Sequence, residues 1–307
     1  MIPLMSGIRS RRISALIVIA GGLLAACGGS GGGGGATSSS SSGAISAATK
    51  VDSIASEVPS SLRSKGSLIV AADATYPPNE YFAADGKTII GMDADLAVAL
   101  GQVMGLNVQM SNVTFDAILP GLSSGKYDLG MSSFTDTKER EKTYDFVTYF
   151  SVKTAFFVKA NGPAINTLDD LCGHHVSVEK GTTQQDDSTA QDKKCKDAGK
   201  SGVDVLVFAD QNATNLALSS GRADISMADA PVAVYVVNQS KGQFKLTGQQ
   251  YGPFPYGIAL PKDKGMARPV LDAVKELIKD GIYTQILAKW GIQSGAINNP
   301  QINGATS

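Results

Sequence analysis

Leu122-Ser123-Ser124-Gly125-Lys126-Tyr127-Asp128-Leu129-Gly130-Met131 returns 96 residues later as Leu218-Ser219-Ser220-Gly221-Arg222-Ala223-Asp224-Ile225-Ser226-Met227. Both Leu, both Ser pairs, Gly, Asp and Met coincide, and Lys/Arg and Leu/Ile are two of the differences. Each copy reads as the end of a helix, a Gly stop, a basic residue, an Asp and a strand. A Gly just past the last turn takes the left-handed conformation that ends a helix without steric cost. The plain alternative is chance recurrence of a common helix-to-strand turn; the extent of the match favours two related halves. Each strand then ends at a comparable place. In open α/β sheets the carboxyl ends of strands border the ligand crevice. Ser132-Ser133 after one strand and Ala228-Asp229 after the other become candidate binding positions.

Outward from these two segments the chain alternates strands and helices. Short apolar runs at 68–71, 108–110, 128–131, 154–158, 176–178, 203–208, 225–227 and 257–260 read as strands. Helical spacing recurs at 93–104, 115–124, 213–220, 231–238, 268–279 and 283–290. Such alternation predicts an α/β fold with mainly parallel sheets. Residues 44–65 are polar with scattered apolar positions, as in a loosely held arm or short helix.

The chain starts differently. Arg9, Arg11 and Arg12 precede an apolar run, Ile13 to Leu24, that closes in Leu24-Ala25-Ala26-Cys27. A basic start, a short apolar stretch and small residues form a secretory signal, too short for a comfortable membrane span. Cys27 after Leu-Ala-Ala resembles the lipobox of bacterial lipoproteins, in which that Cys carries the lipid. Residues 28–43 are almost all Gly and Ser, the composition of a flexible tether. An ordinary cleaved signal would need no such leash. The expectation is an extracytoplasmic domain held to the membrane by a lipid anchor. Without residues 1–27, 24 basic residues stand against 28 acidic ones, a net charge of −4. Nucleic acid as a partner would leave a basic footprint, which is missing.

Cys172 and Cys195 remain, an even pair in an oxidising compartment, and are expected to form a disulfide. No metal site is expected, because the only histidines, His174 and His175, are adjacent and would point to opposite faces of a strand. Gly121-Leu122-Ser123-Ser124-Gly125 matches G-x-S-x-G formally, yet it ends a helix rather than forming the strand-to-helix elbow a serine nucleophile requires. Lys180-Gly181-Thr182-Thr183-Gln184 follows a strand and opens a polar helix, where free N–H groups can hold an anion; a plain capped start is the bland reading. Thr135 to Lys142 is a charge run and by itself a solvated helix face. It gains interest from position: Arg140 lies one turn beyond the hydroxyls of Ser132, Ser133 and Thr135, where a guanidinium could grip a carboxylate with two parallel hydrogen bonds. Asp73 and Tyr76 lie just past the first strand, an acid and a ring suited to a cationic or amide group, or else a Pro-rich loop with a ring plugging the core.

Seven segments stand in one order: Ala-Asp-Ala-Thr-Tyr-Pro-Pro at 72–78, Gly-Met-Asp-Ala-Asp-Leu at 91–96, Phe-Asp-Ala-Ile-Leu-Pro-Gly-Leu at 115–122, Ser-Ser-Phe-Thr-Asp-Thr-Lys-Glu-Arg at 132–140, Gly-Thr-Thr-Gln at 181–184, Gly-Arg-Ala-Asp at 221–224 and Tyr-Gly-Ile-Ala at 256–259. Together they resemble the polar-amino-acid family of bacterial extracytoplasmic solute-binding proteins, the receptors of ABC importers, over about residues 66–292. The resemblance implies a type II periplasmic-binding-protein fold with the ligand between two lobes, 66–151 plus 256–292 and 152–255. Residues 28–65 would be tether and arm, and 293–307 a C-terminal tail. By position, Arg140 would bind the ligand's α-carboxylate with Thr135 and the Thr183 backbone N–H. Asp229 and Ser133 would take the α-ammonium. Asp73, Tyr76 and nearby Ser132 would face the side chain. The resemblance further implies a free amino acid as ligand, a membrane permease as partner, a monomer and no cofactor.

Two residues depart from the family's pattern. Met92 stands where an aromatic usually sandwiches the ligand side chain with Tyr76, which would leave one soft wall. Glu179 stands where relatives vary. With Asp73 it would give the pocket two acids not committed to the ligand backbone, and a cationic side chain would relieve their burial. Arginine, lysine or ornithine is therefore expected over glutamine. Two other readings use the same scaffold. One is a dehydratase-like enzyme, which needs a general acid or base for which only Glu179 is available. The other is a sensor presenting ligand to a different membrane partner.

Overall fold

The computed structural model describes residues 45–306. The signal, Cys27 and the Gly/Ser tether lie outside the described residues. In chain order come α1 (Asp52–Glu57), α2 (Ser60–Lys65), β1 (Ser67–Ala72), β2 (Thr75–Tyr76), β3 (Glu80–Phe82), β4 (Ile89–Ile90), α3 (Met92–Met104), β5 (Asn107–Asn112), α4 (Phe115–Ser123), β6 (Leu129–Gly130) and α5 (Lys138–Glu141). There follow β7 (Tyr144–Lys159), β8 (His175–Glu179), α6 (Thr183–Asp197), β9 (Asp204–Phe208), α7 (Gln211–Ser220), β10 (Ile225–Asp229), α8 (Ala230–Gln239), β11 (Phe244–Pro261), α9 (Ala267–Lys279) and α10 (Ile282–Trp290). None of the described helices is long and apolar enough to cross a membrane.

One eight-stranded sheet runs β5-β1-β6-β11-β7-β10-β8-β9. Its two wings are parallel: β1 pairs with β5 and β6, and β8 pairs with β9 and β10. The centre is antiparallel, because β7 and β11 are two long strands paired along most of their length. The apolar runs at 154–158 and 257–260 are therefore parts of longer strands, and the sheet is mixed. Two cores flank this ribbon. One gathers Leu68, Leu100, Tyr256, Ile258, Val274 and Leu287, and the other Phe156, Val176, Val178, Val203, Ile225 and Met227. The ribbon changes sides where Ser151 and Val152 face Pro255 and Phe254, next to shifts of register.

The sequence repeat is a repeat of structure. Gly125 and Gly221 have φ of 74° and 79° and end α4 and α7 in the same turn. The N–H of Lys126 reaches the Gly121 carbonyl, and that of Arg222 the Ala217 carbonyl. The repeated Asp then ties strand to strand. Asp128 accepts from the Ile69 N–H at 2.8 Å, and Asp224 from the His175 N–H at 3.0 Å. Each Asp starts a strand in register with its parallel neighbour, so the ends of β6 and β10 are delivered to equivalent places.

Two chain ends are better held than their composition suggests. In α1 and the turn after it, Ile54 and Val58 are buried in the first core, contributing about 1.5–3 kcal/mol for each fully buried side chain. The C-terminal segment lies along β7, with Ile302 bridged to Val147. Cys172 and Cys195 form the expected disulfide, tying α6 to the turn before β8. Closing such a loop contributes about 3 kcal/mol in the chain-entropy account.

Candidate functional site

Asp73 follows the last residue of β1 and is nearly buried. Its Oδ2 accepts from the Phe115 N–H that opens α4 (3.0 Å), its Oδ1 from the Thr75 hydroxyl (2.7 Å), and its own N–H donates to Ser132 Oγ (2.9 Å). Burial raises its carboxyl. Past β6, Ser133 adopts φ 53°, a left-handed conformation that costs a non-glycine residue of order 1 kcal/mol or more. Beneath it are two fully buried acids, Glu80 and Asp93. Ser132 and Ser133 donate to the two oxygens of Glu80, while the Ser133 N–H and the Tyr149 hydroxyl donate to Asp93. Burial, then the charge of Asp93, pushes the Glu80 carboxyl far up. That cradle fixes the hydroxyls of Ser132 and Ser133 at the strand end.

Arg140 sits in α5, a single turn capped by Thr137, whose hydroxyl accepts from the Arg140 N–H. One guanidinium nitrogen donates to the Thr135 carbonyl (2.6 Å) and another to the Gly181 carbonyl across the cleft (2.9 Å). The group lies 5.7 and 5.4 Å from the ring centres of Phe115 and Phe134. Desolvation lowers its pKa to about 10, so it stays charged at neutral pH. Of its five donors, two are used.

The opposite wall comes from β8, α6 and β10. Thr182 caps α6 and donates its hydroxyl to the Glu179 carbonyl (2.7 Å), placing Thr183 at the helix start with its N–H unclaimed by the helix. Glu179 is 4% exposed, and its Oε1 is buried with no donor in reach. Burial, then the charges of Asp73, Asp210 and Asp229, pushes its carboxyl far up; the Asp73 carboxyl is within hydrogen-bond reach. Asp229 ends β10. It accepts from Gln184 (2.8 Å) and the Tyr256 hydroxyl (2.6 Å), and burial raises it to about 6. Its N–H donates to the Tyr76 hydroxyl (2.9 Å). With the Lys180–Asp116 ion pair and the Gln211–Thr75 hydrogen bond, these contacts bring the two walls together.

They border one narrow, partly open space. Asp73, Tyr76, Ser132, Ser133, Thr135, Arg140, Glu179, Thr183 and Asp229, all expected from sequence, line this space. Met92 does not. It is fully buried in the first core with Leu96 and Tyr149, so it forms no wall, soft or otherwise. The cause lies one residue earlier: Gly91, at φ 132°, passes so close to Asn79 that a Cβ would sit 2.1 Å from its carbonyl oxygen, and α3 starts there with Met92 turned inward. Tyr76 has two duties, since its ring also packs on Ala155, Ala228 and Val232.

Glu80, Phe115, Thr182 and Gln184 also line the space without having been singled out, and Tyr256 supports it. Phe115, Thr182, Gln184 and Tyr256 stand inside the motifs quoted above. Glu80 gave no signal, because an acid in a polar loop reads as solvated. Four carboxyls thus face one guanidinium. His174 and His175 lie elsewhere, beside Asp224 and Asp204 at the far end of β8.

Two α/β lobes joined by a long antiparallel ribbon, with a charged space between them, define a solute-binding protein of the two-lobed type II architecture. The chain belongs to the bacterial extracellular solute-binding proteins, family 3, which it matches over residues 68–293. It is 32% identical over 254 residues to the arginine-binding protein ArgT of Corynebacterium glutamicum, covering 82% of this chain and 83% of that one. It is 29% identical over 251 residues to the L-cystine-binding protein TcyJ of Escherichia coli, covering 80% and 91%. Among solved structures, an ancestral arginine-binding protein bound to arginine superposes with a TM-score of 0.68 at 36% identity, covering 73% of this chain and 98% of that one. An ancestral amino acid-binding protein described as a precursor of cyclohexadienyl dehydratase superposes at 0.67 and 30% identity, covering 75% and 97%.

Proposed function

We propose that this protein is the lipid-anchored receptor of an ABC importer and binds an L-amino acid with a cationic side chain, arginine foremost. Arg140, with donors to spare, takes the α-carboxylate together with the Thr183 N–H and Thr135. Asp229 and Ser133 take the α-ammonium; each Asp229 oxygen already accepts one hydrogen bond and keeps a second lone pair. Asp73, Glu179, Tyr76 and Ser132 surround the side chain. The carrying observation is the buried Glu179 oxygen without a donor, set beside Asp73. A guanidinium or ammonium placed there satisfies both acids, whereas an amide offers less and a carboxylate repels.

The boundary between lobes falls at 151/152 and 255/256, where the ribbon crosses, and closure hinges there. Cys27 anchors the receptor, which acts as a monomer. Arginine- and cystine-binding relatives support an amino acid as ligand and leave the side chain to be decided by the pocket.

Calorimetry with arginine, lysine, glutamine and cystine on wild type, Asp73→Asn and Glu179→Gln tests the reading. Arginine should bind most tightly, and both substitutions should narrow its lead over glutamine. Tighter binding of glutamine or cystine by the wild type overturns the cationic preference.

A further inference from the structure

The family match ends at residue 293, yet the chain beyond it is built into lobe 1. Gln301 and Thr148 exchange two hydrogen bonds of 2.9 Å. Asn303, at φ 55°, both donates its N–H to the Phe146 carbonyl and accepts the Phe146 N–H on its side chain, each at 2.8 Å. So pinned, the segment aims two backbone N–H groups at two acids. Gly304 donates to Asp136 Oδ2 (2.8 Å) and Ala305 to Glu141 Oε1 (2.9 Å). These acids bracket Arg140 in sequence, and Glu141 belongs to the same four-residue helix.

We infer that residues 300–306 are a positioning strap for Arg140, holding α5 in place and keeping the Asp136 and Glu141 carboxyls off its guanidinium. A single helical turn does not hold itself in water. Here its supports are the Thr137 cap, the Lys262 ammonium on the Glu141 carbonyl, and the tail. Asp136 is fully buried, and its Oδ1 has no donor. Burial and the Glu141 charge raise its carboxyl to about 7. Glu141 is lowered against its burial by the Ala305 N–H and by the Lys138 ammonium 2.9 Å from its other oxygen, so of the two acids it is Asp136 that is pushed toward its neutral form while the tail covers it. Uncovered, Asp136 ionises in water and its charge competes with the ligand's carboxylate for the cation four residues on. The inference rests on Arg140 being the carboxylate ligand.

Three proteins are compared by arginine calorimetry: the full chain, the chain ending at residue 299, and that shorter chain with Asp136→Asn. Truncation should weaken binding about tenfold, and Asp136→Asn should recover most of it, which a loss of mere support would not allow. Unchanged affinity after truncation, or a loss that Asp136→Asn leaves in place, overturns the inference. If the shorter chain does not fold, Ala305→Pro in the full chain removes only the donor to Glu141. It should weaken binding about threefold and be rescued by Glu141→Gln; no loss, or no rescue, overturns the strap. Arg140→Ala in the full chain separates the two readings. If it abolishes binding while the tail variants bind normally, the strap fails and the carboxylate site stands; if Arg140→Ala binds normally, the carboxylate site itself fails.

Discussion

The two ends of the space between the lobes are built on opposite principles. At one end the charge is well accommodated: Arg140 has two carbonyls, two aromatic faces and a capped turn behind it. At the other, each Asp73 oxygen accepts one hydrogen bond, but Glu179 beside it has a buried oxygen that accepts none. The satisfied end can grip what every amino acid has in common. In the proposed reading the unsatisfied end distinguishes among them, because its carboxyl either keeps a proton or meets a cation brought by the ligand. On that reading, affinity and selectivity are assigned to different ends of the space, each end drawing on both walls.

The most direct way to break that division is Arg140→Ala. Losing one partner of a desolvated charge pair costs about 2–5 kcal/mol. Binding of every amino acid should fall by a hundredfold or more while the thermal midpoint without ligand stays near that of wild type. A loss confined to arginine would place selectivity at the wrong end.

Glu179→Gln should act in a narrower way. Arginine affinity should drop about tenfold with glutamine little changed, and the unliganded protein should melt higher, since a buried carboxyl without a partner is gone. Equal losses for both ligands would assign Glu179 to the common grip.

Acidity should move stability and affinity in opposite directions. The Glu179 carboxyl is raised and that of Asp229 is held at about 6, both above their unfolded values. Between the unfolded and folded values the native state binds more protons than the unfolded one, so these groups favour folding at low pH and lose that contribution as pH rises through the folded pKa. For Asp229 the window runs from about 4 to about 6. A cationic ligand needs both acids ionised, so binding releases protons and arginine affinity should fall several-fold as pH drops through about 6. Melting scans and calorimetry at about pH 5 and about pH 7.5 would show it. Arginine affinity that is flat or rises on acidification would mean these acids do not meet the ligand's charge.

The smallest effect is expected from Tyr76→Phe, which removes the hydroxyl that meets the Asp229 N–H across the cleft. A hydrogen bond of about 1 kcal/mol corresponds to roughly fivefold weaker binding, spread evenly over ligands, because the contact closes the lobes rather than reading a side chain. A preferential loss of arginine would move Tyr76 to the selective end.

What the sequence determined by itself is what depends on neighbours along the chain. Gly125 and Gly221 end their helices because only glycine takes that φ freely, and Asp128 and Asp224 follow at the spacing that reaches the next strand. Those local rules delivered the two halves, the strand ends and most of the nine expected lining residues; Glu179 entered only through the family resemblance. Tertiary structure decided whatever depends on what lies across. The two long central strands were read as fragments, since their bulges and hinge interrupt the apolar pattern. Met92 turned inward because Gly91 meets the backbone of Asn79, a contact no spacing reveals. Glu80 became a buried acid only when Asp93, Ser132 and Ser133 closed over it. The tail looked like an appendage until Asp136 and Glu141 received its N–H groups. Whether Glu179 is solvated or buried was decided by the surfaces that meet over it, with Asp73 arriving from the other lobe. Burial of a charge is a property of both surfaces, and a sequence lists only one at a time.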